Sequence, residues 1–228
     1  MPRLHPCCFL VLGLWAWADN AFAQSSAAKF RLSDIQEVVL LPPVGLVSLI
    51  GQGNRATFSP EASVDASELL RQAIYQHDAN LRVVEQVVLK DSVARRAFAK
   101  NALRAIGNLE RQRKAAMAQP QPWLDTVLAA QGRRFGLISG VWGFTRTPAN
   151  RRALMARDLG IGLLSMGMLV PVTPNASVRI GVFIYDAQRR AIVYYKSNFP
   201  TDKDPLTGNG EVIERELANM LAKDFGLE

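Results

Sequence analysis

The sequence predicts an α/β fold in which helices flank a single mixed β-sheet. Short apolar segments bounded by proline, glycine and asparagine alternate with longer segments of helical periodicity. This order is typical of a sheet covered by helices. Residues 178–196 show the alternating pattern of a hairpin, and residues 212–225 form an amphipathic pattern with Gly226 behind it. We therefore expect the chain to close with a β-hairpin followed by an amphipathic helix.

The first half of the chain is predicted to contain two short strands and a helix. The apolar run Glu37–Pro43 ends in two prolines, which favours a buried strand that stops abruptly. Residues 45–60 contain three glycines and an asparagine, so we expect a loop there. A helix should start near Ser63 or Asp65, and residues 81–85 supply the second strand. The apolar stripe of that helix consists of Val64, Leu69, Leu70, Ala73 and Ile74.

The middle of the chain predicts a long basic helix, a short helix and a glycine-containing strand. Residues 90–118 are rich in alanine, arginine, lysine and leucine and contain no proline, which favours one long or broken helix. Prolines at 120 and 122 interrupt it, and residues 123–130 form the next helix. The strand at 135–144 contains three glycines, so another element is expected to approach its backbone closely.

The first 23 residues predict export. Residues 1–6 carry an arginine, residues 7–17 are apolar, and Ala-Phe-Ala at 21–23 supplies a cleavage site after Ala23. This order defines a secretory signal peptide whose apolar core is too short to span a membrane in the mature chain. We expect a periplasmic protein with a linker at 24–36 and a single domain at 37–228.

Both cysteines lie inside the predicted signal peptide. Cys7 and Cys8 stand at the start of the apolar core and not after it, so lipidation is not expected. The mature chain then has no cysteine and therefore no disulfide, no thiol nucleophile and no cysteine-based metal site. His77 is its single histidine, and we expect it to end a helix. We predict no catalytic residue, no metal and no cofactor.

The positive charge is concentrated between Arg95 and Arg157. That segment carries a charge of +11, whereas the whole chain carries +7, so the remainder is −4. Clustered arginines can meet anionic lipid headgroups or an acidic partner, although a solvated helix face is the alternative. Export makes nucleic acid an unexpected partner. The candidate basic and aromatic surface consists of Arg133, Arg134, Trp142, Arg146, Arg151, Arg152 and Arg157.

An apolar segment rich in glycine and methionine, DLGIGLLSMGMLVPVTP, occupies residues 158–174. As a helix, residues 159–170 would extend about 18 Å, too short for a hydrocarbon core of about 30 Å. We expect the segment to be an insertion in the sheet that packs in the core or on the surface of the domain. A partner or oligomer contact and membrane insertion are the alternatives. The candidate interface residues are Leu163, Leu164, Met166 and Met168.

The order of elements resembles a family of periplasmic domains. The segments VVLLPP, RVVE, LISGVW and VFIYDAQRRAIVYY, followed by the terminal amphipathic helix, look like the group that contains the curli-secretion lipoprotein CsgG, FlgO and the TolB amino-terminal domain. The resemblance implies an envelope assembly or accessory role. The chain lacks the lipidated cysteine and the paired amphipathic strands of the curli channel, so a pore is not implied.

Three hypotheses for function follow. The first is a non-enzymatic envelope protein, an accessory or assembly factor that binds envelope components or a protein partner through its basic surface and apolar segment. The second is a hydrolytic or sugar-modifying enzyme that uses two of the carboxylates Asp65, Glu68, Glu85 and Asp186, because glycoside chemistry needs two facing carboxyl groups. The third is a structural homo-oligomer assembled through residues 159–170.

Overall fold

The computed structural model describes residues 31–166, 168 and 173–226. The predicted signal peptide, with its cleavage site at Ala23, lies outside the described residues. The chain divides into two units, residues 1–34 and residues 35–228. In the first unit, Leu32–Asp34 form a single 3₁₀ turn, and the backbone N–H of Arg31 donates to the Asp34 carboxylate at 3.0 Å.

In the described part of the second unit, seven strands form one mixed sheet. The strands are β1 (Val38–Leu40), β2 (Val44–Ile50), β3 (Ala56–Phe58), β4 (Val83–Gln86), β5 (Phe135–Arg146), β6 (Ala176–Asp186) and β7 (Ala191–Ser197). The helices are α1 (Pro60–Gln76), α2 (Asp78–Leu81), α3 (Ser92–Ala118), α4 (Pro122–Ala130), α5 (Pro148–Leu164) and α6 (Glu211–Phe225). The predicted α/β class is confirmed.

Strand β5 is the centre of the sheet. On one side, β1 and then β2 run parallel to it. The outer edge of β1 pairs with β4 in parallel, and the outer edge of β2 pairs with β3 in the antiparallel direction. On the other side, β6 is antiparallel to β5 from Phe135↔Asp186 to Thr145↔Ala176, and β7 is antiparallel to β6. The predicted hairpin at 178–196 is confirmed as β6 and β7.

The sheet is covered by helices on both faces. Val44 packs in a core cluster with side chains of α3 and α4, whereas the next residue, Gly45, faces the first turn of α1. Because successive strand residues point to opposite faces, α3 and α4 lie on one face and α1 lies on the other. Helix α6 packs against α1, β6 and β7. Its buried side chains include Ile213 and Leu217, as predicted for the terminal amphipathic helix.

The prediction of a loop at 45–60 is wrong, because this segment contains β2, β3 and the start of α1. The buried residues of β2 are Val44, Val47 and Ile50, a spacing of three that lacks the alternation of a half-buried strand. Helix α1 begins at Pro60 because the Ser59 hydroxyl oxygen accepts from a backbone N–H of the first turn at 3.2 Å. Val64, predicted in the apolar stripe, is exposed.

The other helices agree closely with the sequence patterns. The predicted helix at 90–118 is α3, with a non-helical residue at Gln112, and the predicted helix at 123–130 is α4. His77 caps the C-terminal end of α1, as expected. The close approach predicted at the β5 glycines is also confirmed: a Cβ on Gly143 would lie 1.9 Å from the carbonyl oxygen of Ser177 on β6.

Candidate functional site

The connection between β5 and β6 carries the most unusual surface of the described chain. The two strands remain paired up to Thr145↔Ala176, so residues 147–175 form an excursion from one end of the sheet. It begins at residue 147, whereas the sequence predicted an insertion starting at 158. Pro148 occupies the first turn of α5, and the Thr147 hydroxyl oxygen accepts from the backbone N–H of Asn150 at 3.3 Å. Both residue types favour a helix start.

A buried arginine fixes the two ends of this excursion. The Arg146 guanidinium donates to the carbonyl oxygen of Pro174 at 2.8 Å, to the Asn150 side chain at 2.9 Å and to the Asn54 side chain. The Asn150 amide in turn donates to the carbonyl oxygen of Gly51 at 2.8 Å. Arg146 and Asn150 are both buried. These bonds join the start of α5, the returning chain and the turn after β2.

A second set of polar contacts holds the first turn of α5. Arg151 donates to the carbonyl oxygen of Arg146 at 3.0 Å and forms an ion pair with Asp204 at 3.0 Å. The Thr145 hydroxyl also donates to Asp204 at 2.6 Å. Leu154 is the buried apolar side chain of the helix. Arg146 and Arg151, both predicted to bind a ligand, therefore anchor α5 to the body.

Beyond this anchor, the helix ends in exposed apolar side chains. The α5 tip, defined as Leu159, Leu163, Leu164, Met166 and Met168, has side chains that are 68–91% exposed. The prediction that this segment packs in the core or on the surface of the domain is wrong for these residues, because their side chains contact little of the rest of the protein. The sequence pattern did not distinguish a buried segment from an exposed helix, because the same run of apolar residues is compatible with either. The predicted interface residues Leu163, Leu164, Met166 and Met168 all lie at the tip.

Helix geometry separates the apolar stripe from the anchoring side. Met155, Leu159 and Leu163 follow one another at intervals of four, so they lie along one side of α5. All three are exposed. The buried residues Asn150 and Leu154 lie along another side. At about 100° per residue, the mean directions of these two sides differ by about 160°. The exposed stripe therefore faces away from the side that attaches α5 to the body.

Two of the predicted basic residues lie at the other end of β5. Arg133 forms ion pairs with Glu37 at 2.8 Å and with Glu85 at 3.7 Å. Arg134 holds Asp186 with two hydrogen bonds, at 3.0 and 2.7 Å. The twelve residues of β5 extend over about 36 Å, which separates these arginines from the start of α5. The seven candidate residues do not form one continuous surface.

Trp142 lies between these two ends and contacts different charged residues. It is half-buried, and it packs so closely on β6 that a Cβ on Gly181 would lie 2.8 Å from its ring. The Arg179 guanidinium lies 5.8 Å from the ring centre and forms an ion pair with Glu110. Glu110 also accepts from the Tyr195 hydroxyl. Burial and this carboxylate raise the pKa of Tyr195 to about 12. Arg179 and Glu110 were not among the candidates, because strand pairing brings Arg179 next to Trp142 and Glu110 comes from α3, which is distant in the sequence.

The carboxylates considered for hydrolysis have other neighbours. Asp65 and Glu68 lie three residues apart on the same helix and line a cavity of about 260 Å³. A hydrogen bond from Arg71 lowers the pKa of Glu68. Asp186 is buried and bound by Arg134, and it also accepts two backbone N–H groups in the β6–β7 turn. Glu85 pairs with Arg133 on the β4 side of the sheet.

A second cavity lies at the kink of α3. It has a volume of about 520 Å³ and is lined by Asn108, Arg111, Gln112, Ala115, Ala116 and Gln119. Gln112 has φ −142° and ψ 60°, which interrupts the helix. The Arg111 side chain donates to the carbonyl oxygen of Gly107 at 3.1 Å, one turn earlier in the helix. The sequence did not indicate this cavity.

Two absences apply to residues 31–166, 168 and 173–226. Within them no helix combines the length and apolar character needed to cross a bilayer. The same residues contain no group of three or more histidine, cysteine, aspartate or glutamate side chains arranged to hold a metal ion.

The comparisons with known proteins give distant structural similarities. No protein-family model and no curated protein matches the chain. Among solved structures, a variant PelC dodecamer from Paraburkholderia phytofirmans in space group C2 is 11% identical. The match covers 83% of this chain and 88% of that chain, with a TM-score of 0.37. The PelC dodecamer in space group P6 is also 11% identical, covers 87% and 94% of the two chains and has a TM-score of 0.36. Similarity at this level carries no argument about assembly or function.

Proposed function

We propose that this chain is a non-enzymatic exported protein of the cell envelope, an accessory or assembly factor that binds another envelope component through the α5 tip. The observation that carries the proposal is the exposure of five large apolar side chains in the last turns of one helix and just beyond its end. Soluble proteins seldom expose a continuous apolar patch without using it for contact. The predicted signal peptide and the resemblance to CsgG-like domains support the location.

The construction of α5 also supports a binding role. Arg146, Asn150 and Arg151 hold the start of the helix with buried or half-buried hydrogen bonds. The apolar side chains follow on the opposite side and at the far end. A helix attached in this way presents its apolar residues in a fixed direction and loses little conformational freedom on binding.

The neighbours of the four carboxylates favour binding over hydrolysis. Asp186 is buried and paired, Glu68 is held by Arg71, and Glu85 is paired with Arg133. Asp65 lies beside Glu68 on one helix. A glycosidase instead needs two carboxyl groups that face each other across a cleft.

Photo-crosslinking in the native host tests the proposal. A photoreactive amino acid replaces Leu163 at the tip, and a matched control replaces Val93, an exposed apolar residue at the start of α3. We expect Leu163 to form a specific adduct with an envelope component and Val93 to form none. The proposal fails if neither position forms an adduct or if both form the same set.

A homo-oligomer assembled through the tip is the second candidate, because a second copy of the apolar stripe would also cover it. Light scattering of the mature chain and of Met166→Glu tests this arrangement. Met166 is exposed, so the substitution does not disturb the core. A mass above that of the monomer that falls in the variant supports the oligomer, and equal masses overturn it.

A further inference from the structure

The arginines of α5 surround the helix just before its apolar tip. An α-helix turns by about 100° per residue. Seen along the axis, Arg152 therefore points about 100° away from Arg151, and Arg157 points about 140° away from Arg152. The angle that remains between Arg157 and Arg151 is about 120°. Arg151 and Arg157 are 38% and 52% exposed, and Arg152 is also exposed. The three basic residues, called the girdle below, therefore point in different directions around the helix and are spread over about 9 Å along its axis.

The charges of this girdle are unequally compensated. Arg151 pairs with Asp204 at 3.0 Å, and Arg157 pairs with Asp158 at 2.9 Å and donates to the Thr173 hydroxyl at 3.1 Å. Arg152 makes a long hydrogen bond of 3.4 Å to the carbonyl oxygen of Pro148. Arg152 is consequently the member with the greatest remaining capacity to bind an anion.

Beyond the girdle, the chain is apolar on several sides. Asp158 is the only charged residue in the segment 158–174, and it is already paired with Arg157. Leu163 and Leu164 are adjacent and therefore point about 100° apart, yet they are 80% and 89% exposed. A flat contact with one partner helix would cover one of these directions and leave the other in water. A medium that surrounds the tip covers both.

The length of the tip matches one leaflet of a bilayer. The seven helical steps from Arg157 to Leu164 rise about 10 Å along the helix. The headgroup layer of a bilayer is about 5–8 Å thick, and interfacial helices bury their apolar side chains about 5–10 Å deep. With Arg157 at the level of the phosphates, Leu163 and Leu164 reach the start of the acyl chains.

We propose that the α5 tip inserts into one leaflet of an anionic lipid membrane, with Arg157 at the phosphate level and Arg151 and Arg152 on its aqueous side, within the negative surface potential of the lipid. This inference rests on the proposed function, because it names the component that the tip binds. Leu163 and Leu164 enter the acyl region, Leu159 lies among the headgroups, and the lipid phosphates complement the girdle. The buried Arg146 anchor holds the helix in place during insertion.

Vesicle flotation tests the lipid preference. The mature chain, from residue 24, is mixed at low salt with phosphatidylcholine vesicles that contain or lack phosphatidylglycerol. We expect flotation with the anionic vesicles. Leu163→Glu should bind them at least tenfold more weakly, because it replaces an apolar side chain of the tip with a charged one. Since the leucine is exposed, its loss leaves the core intact. Arg152→Gln should weaken binding about fivefold. Val93→Glu, at an exposed site on α3, is the matched control and should bind like the wild type.

A fluorescent label then measures insertion itself. Because both cysteines precede residue 24, a single introduced cysteine in the mature chain can be labelled with an environment-sensitive nitrobenzoxadiazole group. With anionic vesicles, the label on Leu163→Cys should become brighter and be quenched by spin labels on the acyl chains. The label on Val93→Cys should not change.

The possible outcomes distinguish this inference from the proposed function. Absence of flotation, or equal flotation with both kinds of vesicle, overturns anionic lipid as the partner. An unchanged label at position 163 overturns insertion. If either result is found while Leu163 still forms a protein adduct in cells, the inference fails and the proposed function stands. If the adduct is also absent, both fail.

Discussion

Replacing Arg146 with methionine should destabilise the protein strongly, although this residue belongs to the predicted basic surface. Its guanidinium makes three hydrogen bonds, to Pro174, Asn150 and Asn54. Hydrogen bonds from a charged donor contribute about 1.5–3 kcal/mol each, but the desolvation of a buried cation offsets part of the sum. Methionine preserves much of the packing of the stem. We therefore expect the free energy of unfolding to fall by about 3 kcal/mol.

The matched control is Arg152→Met, at an exposed residue of α5. Its hydrogen bond to Pro148 is 3.4 Å long, so the expected change in unfolding free energy is within about 0.5 kcal/mol. Urea denaturation of both variants measures the difference. Hydrogen exchange should also become faster across α5 in Arg146→Met alone, because its anchor is lost. Equal midpoints and equal exchange rates in the two variants would refute the anchoring role.

Two further predictions concern the packing of the sheet and the ionisation of its tyrosines. Gly45→Ala should lower the free energy of unfolding by about 3 kcal/mol or more, because the new Cβ would lie 1.9 Å from a backbone oxygen of α1. The control is Gly51→Ala, whose new Cβ would have no atom within 4 Å. In the same urea titration, this variant should have the stability of the wild type. Burial raises the pKa of Tyr185 and of Tyr195 to about 12 and that of Tyr194 higher still. At pH about 11, absorbance at about 295 nm should therefore show these three of the four tyrosines protonated in the folded chain and ionised in denaturant. Since the folded pKa values exceed the unfolded value, stability should fall as pH rises from about 10 to about 12; superimposable folded and unfolded titrations would contradict the burial of these phenols.

The sequence predicted the elements whose patterns arise from local periodicity. Helix α3 shows the apolar spacing of residues such as Phe98, Ala102, Ala105 and Leu109, all of which are buried. The hairpin β6–β7 alternates, and α6 has one apolar side that packs on α1 and the sheet. In each case the side chains that face the core follow the geometry of the element itself.

The sequence did not predict β2, because its pattern arises from its neighbours. Gly45 resembles a loop residue in the sequence, but the close approach of α1 requires it. The two prolines after β1 interrupt the pairing with β5, and β2 then resumes it in the same parallel direction. Such features depend on contacts between residues distant in the chain, which local periodicity does not contain.

The candidate site divides in the same way. From the arginines and apolar residues between positions 133 and 168, the sequence predicted a surface that is both basic and apolar. The structure shows that Arg133 and Arg134 lie at one end of β5 and pair with acidic residues. It also shows that Arg146 is buried as an anchor. Charge along the sequence does not distinguish an arginine that binds a partner from one that holds the fold, because both need a charged, hydrogen-bonding side chain.

The sequence by itself determined the α/β class, the closing hairpin and helix, and the presence of an apolar segment too short to span a bilayer. Tertiary structure alone decided which way that segment faces. The interior positions around β5 are filled by α1, α3, α4 and α6, and the polar anchor of Arg146, Asn150 and Arg151 fixes only the start of α5. Leu159, Leu163 and Leu164 therefore remain in solvent. Their exposure depends on what the rest of the chain already covers, and hydropathy along the sequence does not record that.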